Sequence, residues 1–213
     1  MIILSDWHPD IVEFIVSKMQ NPDILQYLIN NSKDPQIVRE AKNKLKLQPL
    51  TELEKKAYEA LAMNPFVGEE ERKEASALVK NGGRLVVEDP DFLTGANISV
   101  GITKEFMEAV EKDEMYQLRF PDLDNYTPVQ KAVYDAKWQD IGDVRVWEEM
   151  GFPVKVYREI RARELWDLIS FCATYSAEPG LFFIDNANDM TNAKAYGQSV
   201  VGTNPCKHNC MAI

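Results

Sequence analysis

Apolar positions along the chain follow two rhythms: short uninterrupted runs, and stripes spaced at three or four residues. The first run, Ile2 to Leu4, reads as a buried strand. His8-Pro9-Asp10 then opens a helix, because proline suits the first helical turn and Ile11, Phe14, Ile15 and Met19 fall on one face. A strand feeding a helix begins an α/β pattern. From Gln20 to Glu88 helical stripes dominate. Asp34-Pro35 supplies an N-cap and a first-turn proline ahead of Ile37, Val38, Ala41 and Leu45. Thr51-Glu52-Leu53-Glu54 has the capping-box pattern, followed by the stripe Leu53, Ala57 and Leu61. Glu69, Glu70 and Glu71 fit the first turn of another helix, where carboxylates meet the positive end of its dipole. Asn81-Gly82-Gly83 ends it. The segment carries no chemical motif and reads as a charged helical insertion.

Strand-like runs return after it. Arg84 to Val87 and Asn97 to Ile102 are strand candidates. Thr103 caps a helix carrying Phe106, Met107 and Val110. Tyr116 to Phe120 alternates and predicts a strand ended by Pro121. Residues 122–155 show no clear period and read mostly as loop, with a short strand at Val144 to Trp147. A helix is predicted over 157–176, with Leu165, Leu168, Ile169 and Cys172 on one face, stopped by Glu178-Pro179-Gly180. Leu181 to Asp185 is a strand-length apolar run of the kind covered on both faces. Residues 198–202 give a last strand. The expected fold class is α/β: strands 2–4, 97–102, 181–185 and 198–202 neighbouring in one largely parallel sheet, with 157–176 packed on it and right-handed crossovers.

Composition narrows the function classes. The 213 residues suffice for one substantial domain or two small ones, and 45% hydrophobic with 27% charged residues is ordinary globular usage rather than that of a disordered chain. No apolar stretch reaches the roughly 18 residues of a membrane span, and the N-terminus lacks a basic leader, so a cytoplasmic location without a membrane partner is expected. A net charge of −10 argues against a nucleic-acid polymer as partner but not against a single nucleotide. The three cysteines, Cys172, Cys206 and Cys210, make an odd set with no disulfide framework. Cys206, His208 and Cys210 lack an evident fourth ligand, so no metal site is assigned. Cys172 lies on an apolar helix face and reads as core. Asp185, Asn186 and Asn188 follow a strand, where α/β folds place ligand groups, although such residues are more often turn formers. A Gly-rich phosphate loop of Rossmann or Walker type is not found.

Four segments, in order, carry a resemblance. Trp7-His8-Pro9-Asp10-Ile11-Val12-Glu13-Phe14-Ile15 is the first. Asn97-Ile98-Ser99-Val100-Gly101-Ile102-Thr103-Lys104-Glu105-Phe106-Met107 is the second. Arg161-Ala162-Arg163-Glu164-Leu165-Trp166-Asp167 with Glu178-Pro179-Gly180-Leu181-Phe182-Phe183-Ile184-Asp185 is the third. Gly202-Thr203-Asn204-Pro205-Cys206 is the fourth. Together they resemble the large, catalytic subunit of ribonucleotide reductases, in a style closer to the adenosylcobalamin-dependent enzymes than to the di-iron-dependent ones. The resemblance covers residues 1–19 and about 93–206, and leaves the helical segment outside it.

That resemblance implies about half of a ten-stranded α/β barrel. Residues 1–19 form its first strand-helix unit, 20–92 a mostly helical insertion, and 93–213 the remaining elements, ending in a finger loop. It implies that Cys206 is the thiyl position, which removes the 3′ hydrogen of the ribose, and that Asn204 hydrogen-bonds the ribonucleotide substrate. The implied cofactor is adenosylcobalamin, or else a metal-containing partner subunit supplies the radical. Other implied partners are the remaining half of the catalytic subunit or a split-gene product, and a second copy in a homodimer. The resemblance puts a glutamate at position 208, where this sequence has His208. His208-Asn209-Cys210 also resembles the end of an intein before its acceptor cysteine. Two alternatives stand beside the enzyme reading: a non-catalytic remnant or interaction module of the same family, and an unrelated α/β nucleotide-binding protein.

Overall fold

A computed structural model describes residues 1–89, 95–203 and 210–212. In chain order the first elements are β1 (Ile2–Ser5), α1 (Ile11–Ser17), α2 (Pro22–Asn31), α3 (Pro35–Asn43), β2 (Leu45–Pro49), α4 (Glu52–Met63), α5 (Glu69–Asn81) and β3 (Gly83–Val87). Then come β4 (Ile98–Ile102), α6 (Lys104–Lys112), β5 (Met115–Pro121), α7 (Pro128–Ile141), α8 (Val144–Glu149), β6 (Val154–Arg161) and α9 (Ala162–Ser176). The last are β7 (Gly180–Phe183), α10 (Ile184–Met190), a 3-10 turn at Asn192–Tyr196, β8 (Val200–Thr203) and β9 (Cys210–Ala212).

The centre is a parallel sheet in the order β1-β4-β7, with Leu4 opposite Val100 and Val100 opposite Leu181. Every residue of the middle strand is buried. The core gathers Val100 and Ile102 of β4 with Ile11 and Ile15 of α1, Phe106 of α6, and Leu165 and Ile169 of α9. The α/β expectation therefore holds, as does the joining of strands near 2–4, 97–102 and 181–185. Among the described residues the other strands form three antiparallel pairs, β2-β3, β5-β6 and β8-β9, and no closed barrel is seen.

Several expectations are corrected. The strand near 198–202 does not join the parallel sheet; β8 pairs antiparallel with β9. The helix expected from 157 starts at Ala162, because Val154 to Arg161 alternates and pairs antiparallel with β5. Val144 to Trp147 is helical: the Asp143 carboxylate caps α8 by accepting from the Arg145 amide at 2.9 Å. Four alternating residues fit either period, and the cap decides. Residues 128–141 form α7 rather than loop, started by a Thr127/Gln130 capping box and Pro128. That helix has no fully buried residue and packs on the core only through half-buried side chains such as Trp138, so its apolar stripe is weak. The run 181–185 splits, its last two residues opening α10.

The stretch 20–88 has two characters. Leu25 and Leu28 of α2 and Ile37 and Ala41 of α3 belong to the central core. Beyond them, β2 and β3 pair from Leu45↔Val87 to Pro49↔Gly83 and carry α4 and α5. Gly82 ends α5 at φ 71°, and a Cβ on Gly83 would meet the Gln48 carbonyl oxygen at 2.3 Å, so both glycines are required there. Helix α4 buries no residue and α5 buries only Ala75.

Candidate functional site at the carboxyl end of the parallel sheet

Open α/β sheets bind ligands outside the carboxyl ends of their strands. Here that end holds a connected set of polar side chains. Asp6 follows β1 and is fully buried. Thr103, the N-cap of α6, donates to its Oδ2 from the backbone amide at 2.6 Å and from Oγ1 at 3.0 Å. The Tyr116 hydroxyl, from β5, donates to Oδ1 at 2.9 Å. Thr103 Oγ1 in turn accepts from the Phe106 amide at 3.1 Å, so one hydroxyl both caps a helix and holds the carboxyl. Burial raises the Asp6 pKa to about 7, against the pull of these donors and of Arg145. Burial and the Asp6 charge push Tyr116 well above the usual phenol range.

A second group lies after β7. Arg145 donates to Asp185 through both terminal nitrogens, each at 2.7 Å, and to Asp143 through Nε and Nη2 at 3.0 and 2.6 Å. Asp185 Oδ2 also accepts from the Lys104 amide at 2.7 Å, at the start of α6. Burial works against ionisation of Asp185, but the Arg145 and Lys104 hydrogen bonds outweigh it and hold the carboxyl below its usual range. The Lys104 ammonium pairs with Asp189 of α10. Beside this group is a cavity of about 360 Å³ lined by Glu105, Arg119, Arg145, Glu148 and Glu149. Arg119 bonds Glu105 at 3.0 Å; its Nε lies 3.5 Å from Glu148 but makes no hydrogen bond there.

Asn188 links α10 to the strand that leads onward. Its Oδ1 accepts from the Val200 amide at 2.7 Å, and its Nδ2 donates to the Val200 carbonyl at 2.9 Å. The amide side chain thus completes the backbone hydrogen bonding of the first residue of β8. This arrangement fixes charges and backbone at the carboxyl end of the sheet.

The family model described as the ribonucleotide reductase barrel domain matches residues 1–210. The chain belongs to that family. A vitamin B12-dependent ribonucleoside-diphosphate reductase of Thermoplasma acidophilum is 32% identical over 114 residues, 54% of this chain and 11% of the relative. Vitamin B12-dependent ribonucleotide reductases of Bradyrhizobium diazoefficiens and Agrobacterium fabrum are each 42% identical over 52 residues, 24% of this chain and 4% of each relative. The matched stretches are thus small parts of these relatives' lengths.

Within this reductase-family chain, the two residues singled out by resemblance, Asn204 and Cys206, lie outside the described residues, as does His208. Cys172 is buried, as expected for core, and burial pushes its thiol up to about 12. Of the three polar residues after β7, Asp185 and Asn188 make the contacts above. Asp6 and Arg145 were not singled out from the sequence. Asp6 stands just after the first apolar run, which is the signal that marks it; Arg145 was hidden by reading its segment as a strand.

Proposed function

We propose that the chain is part of the catalytic barrel of an adenosylcobalamin-dependent ribonucleotide reductase, in which Cys206 is the radical-bearing residue. The observation that supports this most is the family match across residues 1–210, joined to a parallel sheet whose carboxyl end is tied through Asn188 to β8, the strand directly before Asn204. In this reading β1, β4 and β7 are strands of a ten-stranded barrel, residues 1–19 and 93–213 belong to it, and 20–92 is an insertion. The remaining strands come from further chain or from a separately encoded partner, and the enzyme works in the cytoplasm. The chain alone is then inactive.

The reaction replaces the ribose 2′-hydroxyl by hydrogen. The Cys206 sulfur radical takes the 3′ hydrogen atom and later returns it. The 3′-hydroxyl gives up its proton to a base, the 2′-hydroxyl leaves as water, and a dithiol supplies two electrons. Asn204 would hold the substrate by hydrogen bonds. His208 occupies the position expected for the base, and an imidazole is chemically able to accept a proton there. Adenosylcobalamin, when bound, supplies the radical equivalent to the thiol. No described residue is assigned to holding it.

The test is deoxyribonucleotide formation with adenosylcobalamin and a dithiol, using the chain alone and with the remaining barrel supplied. The expected result is no turnover alone and turnover in the mixture. Cys206→Ala should abolish it and Cys172→Ala should leave it near normal. Turnover surviving Cys206→Ala would remove the radical assignment.

A further inference from the structure

A second cavity, of about 580 Å³, lies between α2 and α9, away from the Asp6 and Arg145 groups. That is within the size range of small-molecule sites. Helical spacing builds its two walls: Tyr27, Leu28 and Asn31 from α2, and Asp167, Leu168 and Phe171 from α9.

The helices run in opposite senses along the cavity. Tyr27 stacks on Phe171, with centroids 4.9 Å apart and planes 22° apart. At the other end Glu164 Oε1 accepts from Ser32 Oγ and from the Lys33 and Asp34 amides, each at 2.7 Å. One end is therefore aromatic, and the other carries Lys33, Arg161 and Arg163. Eight residues of helix separate Arg163 from Phe171, about 12 Å along the axis. Leu28 and Leu168, both buried, form the floor between the ends. Asn31 and Asp167 stand midway.

Charge pairing decides what is left for a ligand. Arg161 is neutralised by a two-pronged bond to Asp113, at 2.8 and 2.7 Å. Arg163 gives one nitrogen to the Val110 carbonyl at 3.0 Å, a neutral partner. Among the described residues neither the Lys33 ammonium nor the Asp167 carboxylate has a partner. Glu164, too, is met only by neutral donors. One end thus carries the cations Lys33 and Arg163 beside one carboxylate, a second carboxylate, Asp167, stands in the middle, and a ring face lies at the other end. Rings offer stacking to a flat heteroaromatic base, the middle carboxylate accepts from hydroxyls, and the cations hold an anionic group.

We propose that this cavity binds a mononucleotide, with its base against Tyr27 and Phe171, its sugar hydroxyls toward Asp167, and its phosphate between Lys33 and Arg163. This site uses neither Cys206 nor the carboxyl end of the sheet, so it stands whether or not the reductase reading does.

The test is isothermal titration calorimetry of the full chain with adenosine monophosphate. Adenosine and ribose 5-phosphate, each lacking one end of the ligand, should bind at least about tenfold more weakly. Tyr27→Ala and Arg163→Glu should each weaken adenosine monophosphate by about tenfold, a typical loss for one stacking or charged partner. Tyr27 is 51% exposed, so its replacement should spare the fold. Circular dichroism checks this, and Tyr27→Leu, which keeps bulk without a polar ring, repeats the measurement. Cys206→Ala should bind as the parent does, which separates this site from the proposed catalytic one. The proposal is overturned if adenosine monophosphate gives no binding through the millimolar range. It is equally overturned if adenosine binds as tightly as the phosphate, or if binding is indifferent to both Tyr27→Ala and Arg163→Glu.

Discussion

Tyr116 donates its hydroxyl proton to Asp6 across 2.9 Å, and so ties β5 to the end of β1 inside the molecule. Both groups are buried. The geometry suits an ionised carboxyl, since Asp6 receives a second hydroxyl and a backbone amide from Thr103. Burial opposes that ionisation and brings the folded pKa to about 7.

This sets a pH dependence. The unfolded Asp6 has a carboxyl pKa of 3.8, below its folded value of about 7. Between these values the folded state keeps a proton that the unfolded state has lost. Asp6 therefore contributes stability below pH 3.8 that is lost as pH rises through 7. His8, whose pKa burial lowers, contributes a slope of opposite sign, so wild type must be compared with Asp6→Asn. Urea unfolding at pH 5 and pH 8 should show wild type losing roughly 1–3 kcal/mol more than the variant over that range. An identical pH slope in the two proteins would mean that Asp6 does not titrate there.

Arg145 carries a stability prediction. Its removal would leave Asp143 and Asp185 facing each other, both about three-quarters buried. Arg145→Ala should cost about 1–3 kcal/mol by urea unfolding at pH 7, after allowance for solvent screening. Arg145→Lys should recover little of this, because an ammonium cannot make the paired contacts that the planar guanidinium makes to both carboxylates. Full recovery by lysine would reduce the arrangement to simple charge balance.

The parallel sheet was legible in the chain because apolar runs and caps agreed. Ile2–Leu4 and Leu181–Phe183 are uninterrupted, Ile98–Ile102 sets Ile, Val and Ile at alternate positions between the small Ser99 and Gly101, and Thr51, Thr103 and Asp34 cap the helices where their spacing says they should. What escaped is what lacks such a signal. Helix α7 has no fully buried residue; it meets the core through the half-buried Tyr134 and Trp138 among polar neighbours, too sparse an apolar pattern to mark a period. Strand β6 and helix α9 run together without a breaker at Arg161-Ala162, so one long helix fitted the pattern as well. The candidate site was half legible. Asp185 and Asn188 follow a strand, where polar residues attract attention, whereas Asp6 and Arg145 owe their roles to partners 97 and 40 residues away, Thr103 and Asp185.

Asn188 should control the order of β8. Its side chain makes both backbone bonds of Val200. Asn188→Ala removes a donor and an acceptor at once, and Asn188→Asp removes the donor alone. Hydrogen exchange followed by mass spectrometry should show faster exchange at Val200 in Asn188→Ala, with a stability loss of about 1 kcal/mol. Unchanged exchange at that amide would show that β9 alone holds the strand.

The last prediction separates the two parts of residues 20–88. Deleting the whole stretch would remove Leu25, Leu28, Ile37 and Ala41 from the core, and each large-to-small loss of that kind costs about 2–5 kcal/mol, so the protein should not fold. Deleting only 50–82 is different. Pro49 and Gly83 are already opposite one another in the β2-β3 pair, so a short turn can join them without moving either strand. The removed helices α4 and α5 bury one residue between them, Ala75, and Phe66 at the turn joining them is 96% exposed. Little apolar burial is lost, and the shorter connection lowers the entropy of closing the hairpin. The trimmed protein should therefore unfold in urea within about 1 kcal/mol of the parent. A large loss would show that the arm stabilises the body through contacts that burial does not reveal.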